Sequence, residues 1–506
     1  MDSRLACFPR YMVFCVSVSC IGSFSVGWTI GSPNIAGAAT HECANGSAHV
    51  NNSIFPDCLP MDSLLWGVAV STFCIGGLVS SLLAGPALTR FGRRKTIAFN
   101  NFGWIVGGAF MCFATSPAMF VIGRLFSGFS CGMGSVATPT YNGEVSTIQG
   151  RGAMGTLNQL YIVIGILLSN LIGLPLSNVP LWRVNYALVI IPAVLQIFLM
   201  PLCVESPRYL VSIDCKEDAR CALQKLRGKD CNVDDELHDI IVGQQDGTIA
   251  PAAEIDLDKK SAAVEEQVIS TTQEQKSKKA YGIRELFTDP VVRRITLTVL
   301  TLHAVQQFSA VNGVMYYSTI IFRESFDQST SIYMAIATSG VNLLVTLLSV
   351  ALIDRLGRRF LLLLAQAGGC ITALTLAIGG YYQVHGLLVA SVFLFVSSFA
   401  IGLGPIPWLI TSELSPTHAA SSMTALATSI NWASNFVIGL LFPVLMDRLH
   451  SFSFLIFGGI LLCSTVFTVF YIPETKGKSI EEINAGFERA IRKPKQSADH
   501  DERSQD

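Results

Sequence analysis

Gln159, Gln306, Gln307, Asn312, Asn342, Asn431 and Asn435 are carboxamides set inside long apolar stretches of this chain. Each offers a donor and an acceptor on one short arm. In hydrocarbon such a group is costly unless it meets a partner or lines a water-filled cavity. A single one is simply accounted for by a hydrogen bond between helices. Together they supply what a neutral ligand with many hydroxyls would need, provided an aromatic ring covers its apolar face. His303 lies among them. Neither it nor the cysteines show nucleophile or metal-ligand spacing, so a satisfied structural histidine is the simpler reading, and no enzyme or cofactor is expected.

The elements that must position these groups are membrane spans. Of 506 residues, 51% are hydrophobic and 14% charged, too little charge to coat a soluble surface. Stretches 153–181, 386–412 and 451–473 carry no charge, and each exceeds the roughly 20 residues an α-helix needs to cross the hydrocarbon. Such runs predict an all-α membrane protein with twelve spans, near 11–33, 63–88, 96–115, 118–140, 153–175, 182–203, 295–318, 332–352, 360–382, 387–411, 420–446 and 452–472. The first lacks a small-residue cleavage site and reads as a span rather than a removable signal.

With the amino terminus inside, the outer loops hold only Arg183, Arg323 and Arg448 of 35 Lys and Arg, so both termini are expected in the cytoplasm. The loop 40–61 has no Lys or Arg and carries two glycosylation sequons, at Asn45 and Asn51, as on a secretory route. Of 14 cysteines only Cys43 and Cys58 fall outside. A bridge between them and two free thiols both fit. The net charge of −1 adds nothing about partners, and no nucleic acid is expected.

The chain is also duplicated. Arg90-Phe91-Gly92-Arg93-Arg94 returns 265 residues later as Arg355-Leu356-Gly357-Arg358-Arg359. Glu144-Val145-Ser146 and Glu205-Ser206-Pro207-Arg208 are echoed 269 residues on by Glu413-Leu414-Ser415 and Glu474-Thr475-Lys476-Gly477. A duplicated, mostly spanning half is the plan of a secondary transporter, with substrate bound between the halves. The expected division is a six-helix half at 1–203, a cytoplasmic linker at 204–294, a second six-helix half at 295–472 and a cytoplasmic tail at 473–506. Within the linker, 216–226 has helical capacity, and 243–280 reads as a disordered insert.

Over nearly its full length the sequence resembles the sugar-porter branch of the major facilitator superfamily, and within it the animal facilitative glucose transporters. The paired Arg-x-Gly-Arg-Arg turns, Gly143-Glu144-Val145-Ser146 with Arg151-Gly152, Val204-Glu205-Ser206-Pro207-Arg208 and Pro473-Glu474-Thr475-Lys476-Gly477 carry the likeness. So do Gln306 to Asn312, Tyr316-Tyr317-Ser318-Thr319 and Gly404-Pro405-Ile406-Pro407-Trp408. The resemblance implies sugar ligands at Gln159, Gln306, Gln307, Asn312, Asn342 and Asn435, with Asn431 a weaker match. It implies a swinging Trp408 beside Pro405 and Pro407, which break their helix, and an outer closure by Tyr316 and Tyr317. Core packing is the other reading of the two tyrosines. Arg93, Arg94, Glu144, Arg151, Glu205, Arg208, Arg358, Arg359 and Glu413 would form an ion-pair latch holding the outward-open state. Arg124, deep in its span, suits a structural partner or snorkelling better than substrate.

Departures from the family pattern narrow the expectation. Thr29 stands where proton-coupled porters carry an Asp, and Ala400 where glucose carriers usually have a Glu. His303-Ala304-Val305 replaces a Gln-Leu-Ser triplet and resembles members that also accept fructose. Thr89 replaces the usual Asp or Asn of the first turn motif and Ala420 the Arg seven residues after Glu413, so the latch should be weaker in the second half. The expected function is passive hexose transport, D-glucose first, at the plasma membrane, with sugar and bilayer as partners and the oligomeric state open. Proton-coupled sugar symport, fructose-accepting transport and a non-transporting sugar sensor are the alternatives.

Overall fold

The computed structural model describes residues 8–43, 55–147, 150–228, 231–245, 281–323, 325–416 and 419–476, with Ile483, Gly486 and Phe487 of the tail. All regular structure among the described residues is helical. The first five spans are α1 (Arg10–His41), α2 (Ser63–Phe91), α3 (Arg93–Cys112), α4 (Pro117–Val145) and α5 (Arg151–Leu176). The sixth is divided into α6 (Trp182–Ala187) and α7 (Ile190–Leu199). Three short helices follow, α8 (Pro207–Ser212), α9 (Lys216–Arg227) and α10 (Asp234–Gln245). The seventh span is α11 (Pro290–Phe308) and α12 (Val311–Arg323), and the eighth and ninth are α13 (Gln328–Leu356) and α14 (Arg358–Tyr381). The tenth runs through α15 (His385–Ser398), a π-helical turn Phe399–Leu403 and α16 (Ile406–Leu414). The chain's last two spans are α17 (Ala420–Leu449) and α18 (Ser453–Tyr471).

Among the described residues, nine stretches are outright long and apolar enough to cross a membrane, one of them, Ser422–Tyr471, running through two helices. The third span falls short because it opens on Arg93, Arg94 and Lys95 and carries Asn100 and Asn101. The seventh does because α11, though 19 residues long, carries Arg293, Arg294, His303, Gln306 and Gln307. Counted with these, the bundle has the twelve spans that hydropathy predicts. Helix α1 continues past the expected end at 33, through Pro33, to His41. Helix α9 matches the helical capacity read in the linker, and α10 enters the stretch read as an insert. Residues 246–280, the rest of that stretch, lie outside the described residues, as do Asn45 and Asn51.

The bundle is inside-out compared with a soluble protein. Phe198 and Phe470 are 73% and 75% exposed, while Arg124, Gln196 and Gln366 are buried. Lipid tails, as apolar as the spans, accept the first arrangement, and helices then associate through polar contacts and close packing. Arg124 on α4 donates through Nη1 to Thr29 O on α1 (2.9 Å) and through Nη2 to Val70 O on α2 (2.7 Å). Its guanidinium lies 4.7 Å from the centre of the Phe73 ring. A buried charge has thus become a three-helix tie.

The duplicated turns fold alike. Gly92 (φ 83°) and Gly357 (φ 88°) occupy the left-handed region open to glycine and link α2 to α3 and α13 to α14. Neither can cap the following helix with a side chain. A carboxylate from elsewhere does it instead. Glu205 Oε1 accepts from Arg93 N (2.9 Å) and Arg94 N (3.0 Å), and Glu474 accepts from Arg358 N (3.0 Å) and Arg359 N (3.1 Å). A Cβ on either glycine would lie 2.7 or 2.8 Å from that carboxylate.

Candidate functional site

Gln307 and Asn312 lie five residues apart, roughly 140° around a regular helix, so only a break between them lets both face one cavity. The break is there. Helix α11 ends at Phe308, Ala310 takes φ 64°, and α12 starts at Val311. Ser309 Oγ and Ala310 N turn back to the carbonyls of Gln306 (2.7 Å) and Gln307 (2.9 Å). Asn312 Nδ2 then donates to Gln307 Oε1 at 2.6 Å.

The tenth span supplies the other wall. Proline has no N–H, so Pro405 and Pro407 leave the carbonyls four residues earlier, Ile401 and Leu403, without their helical donors. Ser349 Oγ on α13 takes Ile401 O (2.9 Å), and Gln306 Nε2 takes Leu403 O (2.9 Å) and Gly404 O (2.7 Å). Gln306 thereby joins the site with its nitrogen already engaged on backbone. Trp408, half-buried just beyond the prolines, meets the His303 ring edge-on at 4.6 Å.

Asn431, on α17, is the hub. Its Nδ2 donates to Gln306 Oε1 (2.7 Å) and approaches His303 Nδ1 (3.3 Å) and His303 O (3.4 Å). Its Oδ1 accepts from Gln307 Nε2 (3.0 Å). One turn further along α17, Asn435 Oδ1 accepts from Tyr316 OH (3.0 Å). Asn342 on α13 is buried with only long contacts, 4.0 Å to Met315 Sδ and 3.5 Å from Thr346 Oγ1. Gln159, half-buried on α5, stands apart from this chain of bonds. Gln306, Gln307, Asn312, Asn431, His303 and Trp408 are therefore brought together, with Asn435 beside them. Sequence matching ranked Asn431 lowest and read His303 as a satisfied structural histidine within a triplet tied to substrate range. The two prolines were the available signal, because they announce free carbonyls that some nearby side chain must satisfy.

At the end of the bundle bearing the Arg-x-Gly-Arg-Arg turns, each half closes on itself. Arg93 Nη2 pairs with Glu144 Oε1 (2.8 Å), and Arg358 Nε with Glu413 Oε1 (3.1 Å). Ser206 Oγ bonds Glu144 and Thr475 Oγ1 bonds Glu413, so the 269-residue offset of the sequence repeats as geometry. Arg94 and Arg359 donate to Cys203 O (3.1 Å) and Val469 O (2.6 Å). Burial pushes the Glu474 carboxyl up, but backbone N–H groups of Lys476, Arg358, Arg359 and Thr475 outweigh it and hold it below the ordinary range. Arg208 lies in the first turn of α8, and the side chain of Arg151 lies outside the described residues. In this form Glu144 and Glu413 each pair within their own half.

The opposite end is shut between the halves. Asn34 on α1 donates to Ser318 Oγ (2.8 Å) and accepts from Thr319 N and Oγ1 (3.0 Å each) on α12. Arg323 pairs with Glu42 (2.7 Å), and Asn170 on α5 donates to Ser339 Oγ on α13 (2.7 Å). The space left beside Asn34, Trp66, Tyr316 and Tyr317 is about 10 Å³, room for no more than one water. Tyr317 OH bonds Gly439 O (3.0 Å), and its ring stacks on Phe442. Both tyrosines are buried. Nearby, Cys43 and Cys58 form a disulfide. Asn34 and Asn170 escaped sequence reasoning because an isolated amide in a span carries no sign of which helix it will meet.

A twelve-span bundle with these paired turns is a major facilitator fold. It superposes on the xylose transporter XylE from E. coli in a partially occluded inward open conformation with TM-score 0.74 at 23% identity, covering 93% of this chain and 100% of that one. The proton:xylose symporter XylE bound to 6-bromo-6-deoxy-D-glucose gives 0.72 at 23%, covering 94% and 99%. The family model "Sugar (and other) transporter" matches residues 15–487. Facilitated glucose transporter member 2 of Sus scrofa is 37% identical over 437 residues, 84% of this chain and 78% of its own. Member 3 of Ovis aries is 34% identical over 492 residues, 95% and 93%. The chain belongs to this sugar-transporter family.

Proposed function

We propose that this protein is a passive hexose carrier of the plasma membrane, with D-glucose its first substrate. The observation that carries the reading is the amide cluster Gln307–Asn312–Asn431, assembled at two broken helices beside Trp408. Gln159, Gln306, Asn342 and Asn435 complete a site rich in amides and poor in charge, suited to hydroxyls that both give and accept protons. The ring of Trp408 covers the apolar face of the sugar. Pro405 and Pro407 let that segment move, and Tyr316 and Tyr317 close the outer side.

The basic turns face the cytoplasm by the charge rule, with glycosylation at Asn45 and Asn51 outside. The form described is then closed outside. Residues 1–203 and 295–472 rock about the site, and Arg93, Glu144, Arg358 and Glu413 with their neighbours stiffen the cytoplasmic face for the alternate, outward-open state.

What surrounds the buried cation supports passive transport. Arg124 gives its two terminal nitrogens to the backbone oxygens of Thr29 and Val70, and Thr29 cannot titrate. Ala400 offers no carboxylate, and both His303 ring nitrogens are engaged within the site. Labelled glucose and fructose uptake in cells lacking hexose transport tests the reading. Uptake is expected to equilibrate, with an initial rate indifferent to a protonophore. Accumulation of a non-metabolised glucose analogue, abolished by the protonophore, would overturn it. Fructose uptake in the same assay decides whether the His303 triplet broadens the substrate range.

A further inference from the structure

The direction of every bond in the amide cluster is dictated by groups that cannot reverse. Backbone carbonyls only accept. Leu403 O and Gly404 O therefore fix the nitrogen of Gln306 toward themselves and turn Gln306 Oε1 toward Asn431. On the other side of the prolines, Thr411 Oγ1 donates its single proton to Pro407 O (2.8 Å). It can then only accept from His303 Nε2, 2.9 Å away. His303 is left with a bare Nδ1, which accepts from Asn431 Nδ2. Two acceptors thus converge on the nitrogen of Asn431, and its oxygen must face Gln307. Gln307 gives its nitrogen there and presents its oxygen to Asn312 Nδ2, leaving Asn312 Oδ1 free to accept.

We propose that His303 is a positioning residue of this site. Held by Thr411 with its proton on Nε2, it sets with Gln306 which atom of Asn431, Gln307 and Asn312 meets the ligand. His303 and Gln306 lie one helical turn apart and grip the tenth span on either side of Gly404-Pro405, so the orientation of the ligand-facing amides depends on the geometry of the helix break. The inference rests on the reading of this cluster as the sugar site.

Concentration-dependent glucose uptake, normalised to surface protein, tests it with two pairs of variants. Thr411→Val keeps the shape and removes the acceptor, stranding a buried N–H. His303→Leu removes both ring nitrogens. Each is expected to raise KM about fivefold, the size of one lost hydrogen bond, with maximal rate per surface transporter changed less than twofold. Thr411→Ser restores the hydroxyl, and His303→Gln restores a donor for Thr411 and an acceptor for Asn431. Both are expected to recover most of the loss. Adding Thr411→Val to His303→Leu should raise KM no further, since the bond is already gone. A wild-type KM in Thr411→Val, or a His303→Gln variant as impaired as His303→Leu, would overturn the proposal. Should Thr411→Val fail to reach the surface, the His303 pair alone decides. A wild-type protein that moves no hexose would instead overturn the reading of the site.

Discussion

Gln307 and Asn312 are held by one another and by Asn431, not by the lipid-facing scaffold, which is how polar side chains in a membrane can be both stable and available. Each keeps unused hydrogen-bonding capacity: a second N–H on Gln307 and the oxygen of Asn312. Replacing either by Ala deletes about one ligand bond and leaves a neighbour less satisfied. We expect Gln307→Ala and Asn312→Ala each to lower glucose uptake roughly tenfold, about 1–2 kcal/mol, at unchanged surface abundance. Normal uptake in both variants would remove them from the site. Trp408 belongs to the same scale, because its ring rests edge-on against His303 and inherits its position from it.

At the scale of elements, the two carboxylates that cap α3 and α14 do work that glycine N-caps cannot. Four backbone N–H groups open every helix unpaired, and an anion placed on them contributes about 0.5–1 kcal/mol. Glu474 is held below the ordinary carboxylate range, so its contribution is present above that range and fades as pH falls through the lowered value. Glu474→Gln should therefore lower the melting temperature of the purified protein at neutral pH. The deficit should shrink in acid, where wild-type Glu474 is itself protonated. Thermal melts of both proteins across the pH series check this, and a deficit that persists unchanged in acid would assign it to packing. The same logic of borrowed partners governs the tenth span, where Ser349 and Gln306 replace the donors that two prolines remove.

For the whole molecule, the balance between the two faces depends on which contacts cross between halves. Asn34 makes three such hydrogen bonds, all buried. The Arg323–Glu42 pair is partly exposed and adds little. Asn34→Ala should shift the conformational equilibrium toward the form open on that side by about tenfold or more. A thiol introduced by Ile320→Cys, beside the small closed space, would report it through faster reaction with an impermeant reagent from outside. An unchanged labelling rate would show that Asn34 does not hold this face shut.

The sequence by itself determined the membrane spans, since burying an uncharged run in lipid is decided locally, and the duplicated turns, since Gly92 and Gly357 each need a backbone few other residues adopt. It also required the break between Gln307 and Asn312, by helical arithmetic, and the orphan carbonyls at 401 and 403, by the chemistry of proline. Only the tertiary structure decided that Asn431 is the hub, because its partners lie 124 to 128 residues away and meet it only through the rotation of α17 against α11. It alone decided that Asn34 finds Thr319 across 285 residues, and so which face is closed. An amide carries no record in its own neighbourhood of the helix it will pair with; that is fixed when the helices pack and each polar group takes the partner within reach.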